Sequence, residues 1–219
     1  MMAEGKTNTS VDASCDYVEG GKRPVSRKMG VAIIVAVVVA IAAGSGLWAW
    51  HEQPNFCAAI CHVPMDGYLA TYEQEPGVGG VDKYGETVEN TSSMLAVSHR
   101  QASGTTCLEC HVPTLTEQIA EGVGWIAGNY KFPLDETSLE DLVEARGGPS
   151  DSFCMNEDCH GYGREGLVSK TDEYEINPHD STQHGELQCS ECHKAHRASV
   201  MFCAKCHDNA VVPEGWVVD

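Results

Sequence analysis

The sequence predicts a mainly helical and irregular fold with a single N-terminal transmembrane helix and little or no β-sheet. Three observations lead to this prediction. Residues 29–50 carry no charged side chain and are long enough to cross a bilayer. Ten of the eleven cysteines stand in five close pairs, and a histidine follows each pair directly. The 22 glycines and nine prolines indicate many turns between short helices.

The stretch MGVAIIVAVVVAIAAGSGLWAW at 29–50 would measure about 33 Å as a helix. Four basic residues between 22 and 28 precede it, so the positive-inside rule predicts a cytoplasmic tail at 1–28 and an extracytoplasmic C-terminal part. Trp48 and Trp50 would lie at the far interface. A cleavable signal peptide remains the alternative, because Ala40-Ile41-Ala42 has the form of a cleavage site.

The cysteine pairs form five motifs that end in histidine. The spacing is C-x-x-C-H at 107, 189 and 203, C-x3-C-H at 57 and C-x4-C-H at 154. C-x-x-C-H is the attachment signature of c-type haem, in which two thiols bind the porphyrin and the histidine ligates the iron. The sequence therefore predicts five covalently bound haem c groups, attached at Cys57, Cys61, Cys107, Cys110, Cys154, Cys159, Cys189, Cys192, Cys203 and Cys206, with motif histidines His62, His111, His160, His193 and His207.

Disulfides and zinc are the alternatives to haem. A disulfide framework does not need a histidine after each pair, and structural zinc normally takes two cysteine pairs, or one pair and two spaced histidines, for each ion. Five haems in residues 51–219 leave about 34 residues for each haem, too few for a conventional apolar core. We therefore expect a haem-packed domain.

The other histidines can supply second axial ligands, which low-spin electron-transfer haems require. They are His51, His99, His179, His184 and His196. Residues 138–146 predict one amphipathic helix, which Gly147-Gly148-Pro149 ends, and residues 73–93 predict a surface loop. From residue 51 onward there are 28 acidic and nine basic residues, which argues against a nucleic-acid partner and fits docking to a basic protein surface.

Residues 29–113 resemble the NapC/NirT/NrfH family of membrane-anchored quinol dehydrogenases. An anchor is followed by FCAAICHVPM and then by SHRQASGTTCLECHVP. The resemblance implies oxidation of menaquinol beside the membrane and electron transfer to an extracytoplasmic reductase. It also implies Met65 as an axial ligand of the first haem, with His62 as the alternative, and makes His99 a haem ligand. The family more often has four haems than five.

Residues 154–216 resemble the haem domain of tetrahaem flavocytochrome fumarate reductases. The run NPHDSTQHGELQCSECHKAHRASVMFCAKCH carries this resemblance. It implies that His179, His184 and His196 are distal ligands, although the haem that each one serves stays open. It also indicates a flavoprotein reductase as the partner, with a multihaem nitrite reductase as the other candidate.

These observations predict a cytoplasmic tail at 1–28, a transmembrane helix at 29–50, a first haem region at 51–150 and a second at 151–219. The expected function is a quinol dehydrogenase subunit of anaerobic respiration, single-pass in the cell membrane, with possible oligomers. A terminal reductase that acts on a small substrate at the first haem is one alternative, and a non-haem metal or redox-sensing membrane protein is another.

The residues that bind quinol stay unassigned at this stage. Candidate proton acceptors are Asp66, Glu73, Glu75 and Lys83, and each of them also fits an ordinary surface charge. His51 could contact quinol or simply lie at the interface.

Overall fold

The computed structural model describes residues 26–60, 62–132 and 150–218, and for residues 62, 63, 150 and 151 it describes the backbone only. Cys15, Cys61, most of the predicted tail and the predicted helix at 138–146 lie outside these ranges. The described chain divides into two compact units, which meet between Ser45 and Gly46.

The first long element is α1, Arg27–His51, whose membrane-compatible stretch has no buried residues. At 1.5 Å per residue its 25 residues measure about 37 Å, enough to cross a hydrocarbon core. Its length and composition suit either a membrane span or a signal sequence.

Short helices make up most of the second unit. They are α2 (Pro54–Ile60), α3 (His62–Tyr72), α4 (Leu95–Ser103), α5 (Cys107–Cys110), α6 (Leu115–Ile126), α7 (Ser150–Cys154), α8 (Gly163–Lys170) and α9 (Cys189–Cys192), with 3₁₀ turns at Thr91–Ser93 and Phe202–Lys205. In the described part the sheet is one hairpin, β1 (Gly80–Val81) and β2 (Thr87–Val88), with Gly80 opposite Val88. The prediction of a mainly helical fold with almost no sheet is confirmed.

The segment at 73–93 is not simply the surface loop that the sequence predicted. The Asp82 carboxylate accepts hydrogen bonds from the backbone of Tyr84 and Glu86 and so shapes the hairpin turn. Val88 is only 3% exposed and Thr91 is fully buried. In this segment the tip of the hairpin turn is therefore exposed, whereas Val88 and Thr91 belong to the buried core.

The protein core is small and joins distant parts of the chain. Val88, Met94 and Val97 form it, and Ala198 packs against it. The backbone N–H groups of Leu95 and Ala96 donate to the carbonyls of Lys194 and Ala195, at 2.9 and 3.0 Å. Residues 194–199 are thus held against the start of α4. The division of the haem domain at residue 150 stays a prediction.

Helix α3 approaches the hairpin closely because residue 67 is glycine. A Cβ atom at Gly67 would lie 2.6 Å from the carbonyl oxygen of Lys83. The backbone N–H of Lys83 in turn donates to the carbonyl of His196, at 3.0 Å. The helix that follows the first haem motif therefore lies beside one of the candidate distal ligands.

Candidate haem-binding sites

Four motif histidines each lie opposite one of the spare histidines. The ring centroids are 6.3 Å apart for His111 and His196 and 6.4 Å apart for His179 and His193. The other two pairs, both at 6.0 Å, are His99 with His160 and His184 with His207.

These separations fit two imidazoles on opposite sides of one metal ion. With a metal–nitrogen bond of about 2 Å and about 1.2 Å from that nitrogen to the ring centroid, the two centroids would be about 6.4 Å apart. Among the described residues, no group of three or more histidine, cysteine, aspartate or glutamate side chains converges as a structural zinc site requires. The paired donors suit a metal that brings its other ligands with it, as haem iron does.

The four described motifs share one backbone feature. The N–H of the motif histidine donates to the carbonyl of the first cysteine: His111 to Cys107 at 2.7 Å, His193 to Cys189 at 2.9 Å and His207 to Cys203 at 3.0 Å. In a C-x-x-C-H motif this is an ordinary helical turn from residue i to residue i+4.

The longer C-x4-C-H motif closes in the same way. The N–H of His160 donates to the carbonyl of Cys154 at 3.2 Å, although two more residues separate them. Asn156 takes up the extra length, because its side-chain oxygen accepts from the N–H groups of Asp158 and Cys159. The extra residues therefore form a local Asx turn and leave the closure of the motif unchanged.

Hydrogen bonds at Nδ1 orient the distal imidazoles. The Thr71 hydroxyl lies 2.6 Å from Nδ1 of His196 and donates its proton to the carbonyl of Tyr68 at 2.7 Å. A hydroxyl has one proton to donate, so the Thr71 oxygen must accept from Nδ1–H of His196. This assignment leaves the lone pair on Nε2, the nitrogen available to a metal.

The same arrangement recurs at two other distal histidines. Nδ1 of His179 lies 3.1 Å from the hydroxyl of Thr171, whose proton is directed to the oxygens of Leu167 and Asn177. Nδ1 of His99 lies 2.9 Å from the carbonyl of Leu95, which can only accept. Both rings are therefore protonated on Nδ1 and present Nε2 as a ligand.

Burial keeps two of the paired rings uncharged. Desolvation is the main cause that lowers the pKa of His193 to about 4, and the paired His179 acts in the same direction. Desolvation also lowers the pKa of His196 to about 4, with smaller effects of His111 and Lys83. At neutral pH both rings are in the neutral form, which has a lone pair to offer to iron.

Neighbouring motifs influence one another through space. The pKa of the Cys110 thiol is raised by burial and next by Cys159 of the following motif. The pKa of Cys192 is raised mainly by burial and slightly by Cys203. No disulfide joins any two of the described cysteines. The motif at Cys107 therefore lies near that at Cys154, and the motif at Cys189 lies near that at Cys203.

The first motif is described in part. Cys57 lies in α2, and His62 begins α3 with its side chain outside the description. Met65 follows in α3 and is partly buried. The choice between Met65 and His62 as a ligand stays open.

The candidate proton acceptors separate into two groups. Asp66, Glu73 and Glu75 are exposed, as ordinary surface charges would be. Lys83 is partly buried, and its ammonium lies 5.4 Å from the ring centroid of Tyr68 and 5.0 Å from that of Tyr84. Its backbone N–H donates to the carbonyl of His196, so it lies beside the pair of His111 and His196.

The two threonines were not found from the sequence. Thr171 stands eight residues before its histidine, and a threonine in such a stretch has no distinctive pattern. Thr71 is 125 residues away from His196 in the sequence, so only the fold could reveal that contact.

Known proteins resemble the chain over different lengths. Residues 140–208 match the family model of cytochrome c3. Over 200 residues, 91% of this chain and 92% of the relative, the chain is 59% identical to the cytochrome c-type protein Cgr1 of Eggerthella lenta. A stretch of 63 residues, 27% of this chain and 51% of the relative, is 38% identical to the acrylate reductase cytochrome subunit of Shewanella woodyi.

No solved structure matches the chain with significance. The resemblances to the NapC/NirT/NrfH family and to flavocytochrome fumarate reductases stay predictions. The identity to Cgr1 over nearly the whole of both chains shows the family. The chain belongs to the multihaem c-type cytochromes, electron-transfer proteins that carry covalently bound haem c.

Proposed function

We propose that the chain is a membrane-anchored pentahaem cytochrome that oxidises menaquinol and relays the electrons to an extracytoplasmic reductase. The observation that carries the proposal is the set of four histidine pairs. Haem c supplies one-electron chemistry at iron when it is bound. The residues of this chain hold the groups, orient their ligands and set their spacing.

The proposed axial ligands follow from the pairs. The haem at Cys107 and Cys110 would be held by His111 and His196. The other three, in chain order, would be held by His160 with His99, His193 with His179, and His207 with His184. Two histidine ligands for each of these four haems would suit electron transfer and would leave no position at the iron for a substrate.

The spatial order of the motifs supports a relay. Cys159 contributes to the raised pKa of Cys110, and Cys203 contributes to that of Cys192, so each of these two pairs of motifs lies close together. The middle step is close too, because His160 and His99 both contribute to the low pKa of His193. Electrons can therefore pass from motif to motif in the order in which the chain presents them.

The position of the first motif supports quinol oxidation. Cys57 follows the end of α1 by six residues, so in a membrane-anchored chain the first haem would lie near the bilayer surface. Menaquinol is dissolved in the bilayer, and a haem at that surface can receive its electrons. Met65 or His62 would complete this haem.

The partner is proposed to be a separate reductase. The Shewanella woodyi relative is named as the cytochrome subunit of an acrylate reductase, which favours a reductase partner for this chain too. A flavoprotein is preferred, and a multihaem nitrite reductase is the other candidate. The net charge of −18 suits docking to a basic face of that partner and disfavours nucleic acid.

A terminal reductase is the second candidate. One observation favours it: among the described side chains, which do not include that of His62, the four histidine pairs supply ligands to the motifs from Cys107 onward and none to the first motif. A substrate-binding haem would have to be that one. Turnover of a small substrate by the isolated protein would support this candidate.

The intact mass of the protein purified from membranes of a haem-c-competent host tests the haem count and the anchor together. Five haems with residues 1–28 retained are expected. Four haems would remove one of the two longer motifs from the list of attachment sites. Loss of about the first 40 residues would identify a signal peptide and refute an anchor.

Reduction by quinol tests the activity. The purified protein in detergent is mixed with a menaquinol analogue, and the haem absorption band is followed. Rapid reduction of the haems is expected. A protein that dithionite reduces but quinol does not would refute the proposed function.

A further inference from the structure

The last residue of α1 lies in a group of aromatic side chains. The imidazole of His51 stacks on Trp48 with 5.6 Å between ring centroids and meets Phe56 edge-on at 5.0 Å. Trp50 packs edge-on against the other side of the group, 5.0 Å from Phe56. We call Trp48, Trp50, His51 and Phe56 the aromatic shelf. It connects the end of the membrane-compatible helix to the residue just before Cys57.

One atom of the aromatic shelf has no hydrogen bond. Nδ1 of His51 is inaccessible to water and has no hydrogen-bond partner, although the ring as a whole keeps 19% of its surface exposed. A buried polar atom left unpaired destabilises a folded protein, so such an atom calls for a reason.

A carboxylate lies just beyond hydrogen-bonding distance of that atom. Oε1 of Glu52 is 3.5 Å from Nδ1, and the Glu52 side chain is 44% exposed. A charged imidazolium would draw this carboxylate into a charge-assisted hydrogen bond, which is stronger than a neutral one. The pair is therefore arranged for a ring that gains a proton on its other nitrogen, Nε2.

We propose that His51 and Glu52 are the proton-accepting groups of a quinol site on the aromatic shelf. This inference rests on the proposed oxidation of quinol by the chain. The ligand class is a membrane-dissolved quinol, whose flat ring suits the faces and edges of the surrounding aromatic side chains.

The chemical balance of the step is simple. Oxidation of one quinol to the quinone breaks two O–H bonds and releases two protons and two electrons. A quinol proton goes to Nε2 of His51, the proton on Nδ1 passes to Glu52, and Glu52 releases it to water. The ring then carries its one remaining proton on Nε2, so it must rotate and return to the Nδ1-protonated form before the second quinol proton can take the same route. A ferric haem held at the motif that begins at Cys57 would be the oxidant and would take the electrons one at a time.

Anchoring at the membrane interface is the competing explanation for these residues. Tryptophans are common at that depth, and this accounts for Trp48 and Trp50. It does not account for a buried imidazole nitrogen beside a partly exposed carboxylate. Proton transfer explains both, because it requires a route from a nitrogen that does not contact water to a group that does.

The test uses the full-length, haem-loaded protein in detergent, with variants His51→Phe, Glu52→Gln and Gln53→Ala. His51→Phe keeps an aromatic ring but removes the base, and Gln53→Ala changes an exposed neighbour as the control. Two properties are measured for each variant: the initial rate of haem reduction by a menaquinol analogue, and the dissociation constant of a fluorescent hydroxyquinoline N-oxide, which resembles quinol but is not oxidised. Haem content and reduction by dithionite check that each variant is intact.

His51→Phe is expected to slow reduction by quinol by about 100-fold, the usual loss when a general base is removed. Glu52→Gln is expected to slow reduction by about 10-fold while leaving the dissociation constant of the N-oxide within twofold. Gln53→Ala should behave as the unsubstituted protein in both measurements, and dithionite should reduce all variants alike.

Two results would overturn the inference in different ways. If the unsubstituted protein oxidises quinol and His51→Phe does so at the same rate, the site is elsewhere and the proposed function stands. If dithionite reduces the unsubstituted protein but quinol does not, the proposed function fails and the inference fails with it.

Discussion

The hydrogen bond between Thr71 and His196 gives the sharpest prediction about a single haem. Thr71 lies in α3, its side chain is fully buried, and its oxygen is 2.6 Å from Nδ1 of His196. Replacement Thr71→Val keeps the shape of the side chain and removes the hydroxyl. It leaves Nδ1–H of His196 and the carbonyl of Tyr68 without this partner.

The expected shift in reduction potential follows from the oxidation state that the hydrogen bond favours. When the Thr71 oxygen accepts a hydrogen bond from Nδ1–H of His196, the imidazole becomes a better electron donor to the iron. This stabilises ferric iron more than ferrous iron. A buried N–H left unpaired loses about 1–3 kcal/mol. Suppose that this loss is about 0.7 kcal/mol larger for the ferric than for the ferrous haem. For one electron, 59 mV corresponds to a tenfold change in the equilibrium constant, so the reduction potential would rise by about 30 mV.

A redox titration followed by absorption and electron paramagnetic resonance measures the shift. One component, the haem attached at Cys107 and Cys110, should move upward by about 30 mV, while the others keep their potentials. Thr71→Ser should restore the original value because it restores the acceptor oxygen. Thr171→Val is the matched comparison, since it should move a different component, the haem that uses His179.

Three outcomes would refute this reasoning. The Thr71→Val titration could coincide with that of the unsubstituted protein, or the potential could fall, or Thr71→Ser could shift as far as Thr71→Val. In the last case, packing in α3 and not the hydroxyl would control the haem. A fall in melting temperature of about 4–8 °C for a loss of about 2 kcal/mol is compatible with all of these outcomes and does not distinguish them.

Three further predictions concern attachment, stability and docking. Replacing both Cys154 and Cys159 by alanine should lower the intact mass by one haem, and an unchanged mass would show that the C-x4-C-H motif binds none. Met94→Ala should lower the free energy of unfolding by about 2–5 kcal/mol because Met94 is fully buried. The control Leu115→Ala, at a position that is 65% exposed, should change it by less than about 0.5 kcal/mol. Thermal unfolding measures both values. Raising the salt concentration from about 0.01 M to about 1 M shortens the screening length about tenfold, so electron transfer to a basic partner should slow severalfold. A rate that does not depend on salt would argue against docking by charge.

The sequence predicted which residues could bind the haems, but it did not predict how those residues pair. Motif spacing and the histidine count named the candidate donors, because covalent attachment is a local property of a few residues. Pairing is not local. His111 and His196 are far apart in the chain, and the hydrogen bonds between residues 83–96 and 194–199 bring them together. No periodicity in the sequence carries that information.

Two elements that were not predicted did have readable signals in the sequence. The hairpin at 80–88 turns through Asp82-Lys83-Tyr84-Gly85, where Gly85 has a φ of 83° that favours glycine, and an Asp-x-x-Gly turn is a known signal. Helix α6 begins with a capping box of Thr114 and Glu117. Both signals lie in the sequence, but the strands of two residues are too short to show the alternation that identifies a β-hairpin.

Thr71 links the first haem region to a proposed haem ligand in the second, His196. Thr71 lies in α3, directly after the first motif, and the ring that it orients belongs to a residue near the C-terminus. A substitution in α3 therefore acts both beside the proposed entry of electrons and on the ligand of the next haem. If the proposed relay is correct, variants in α3 should change the rate of electron entry and the potential of the second haem together, whereas variants near His184 should leave both unchanged.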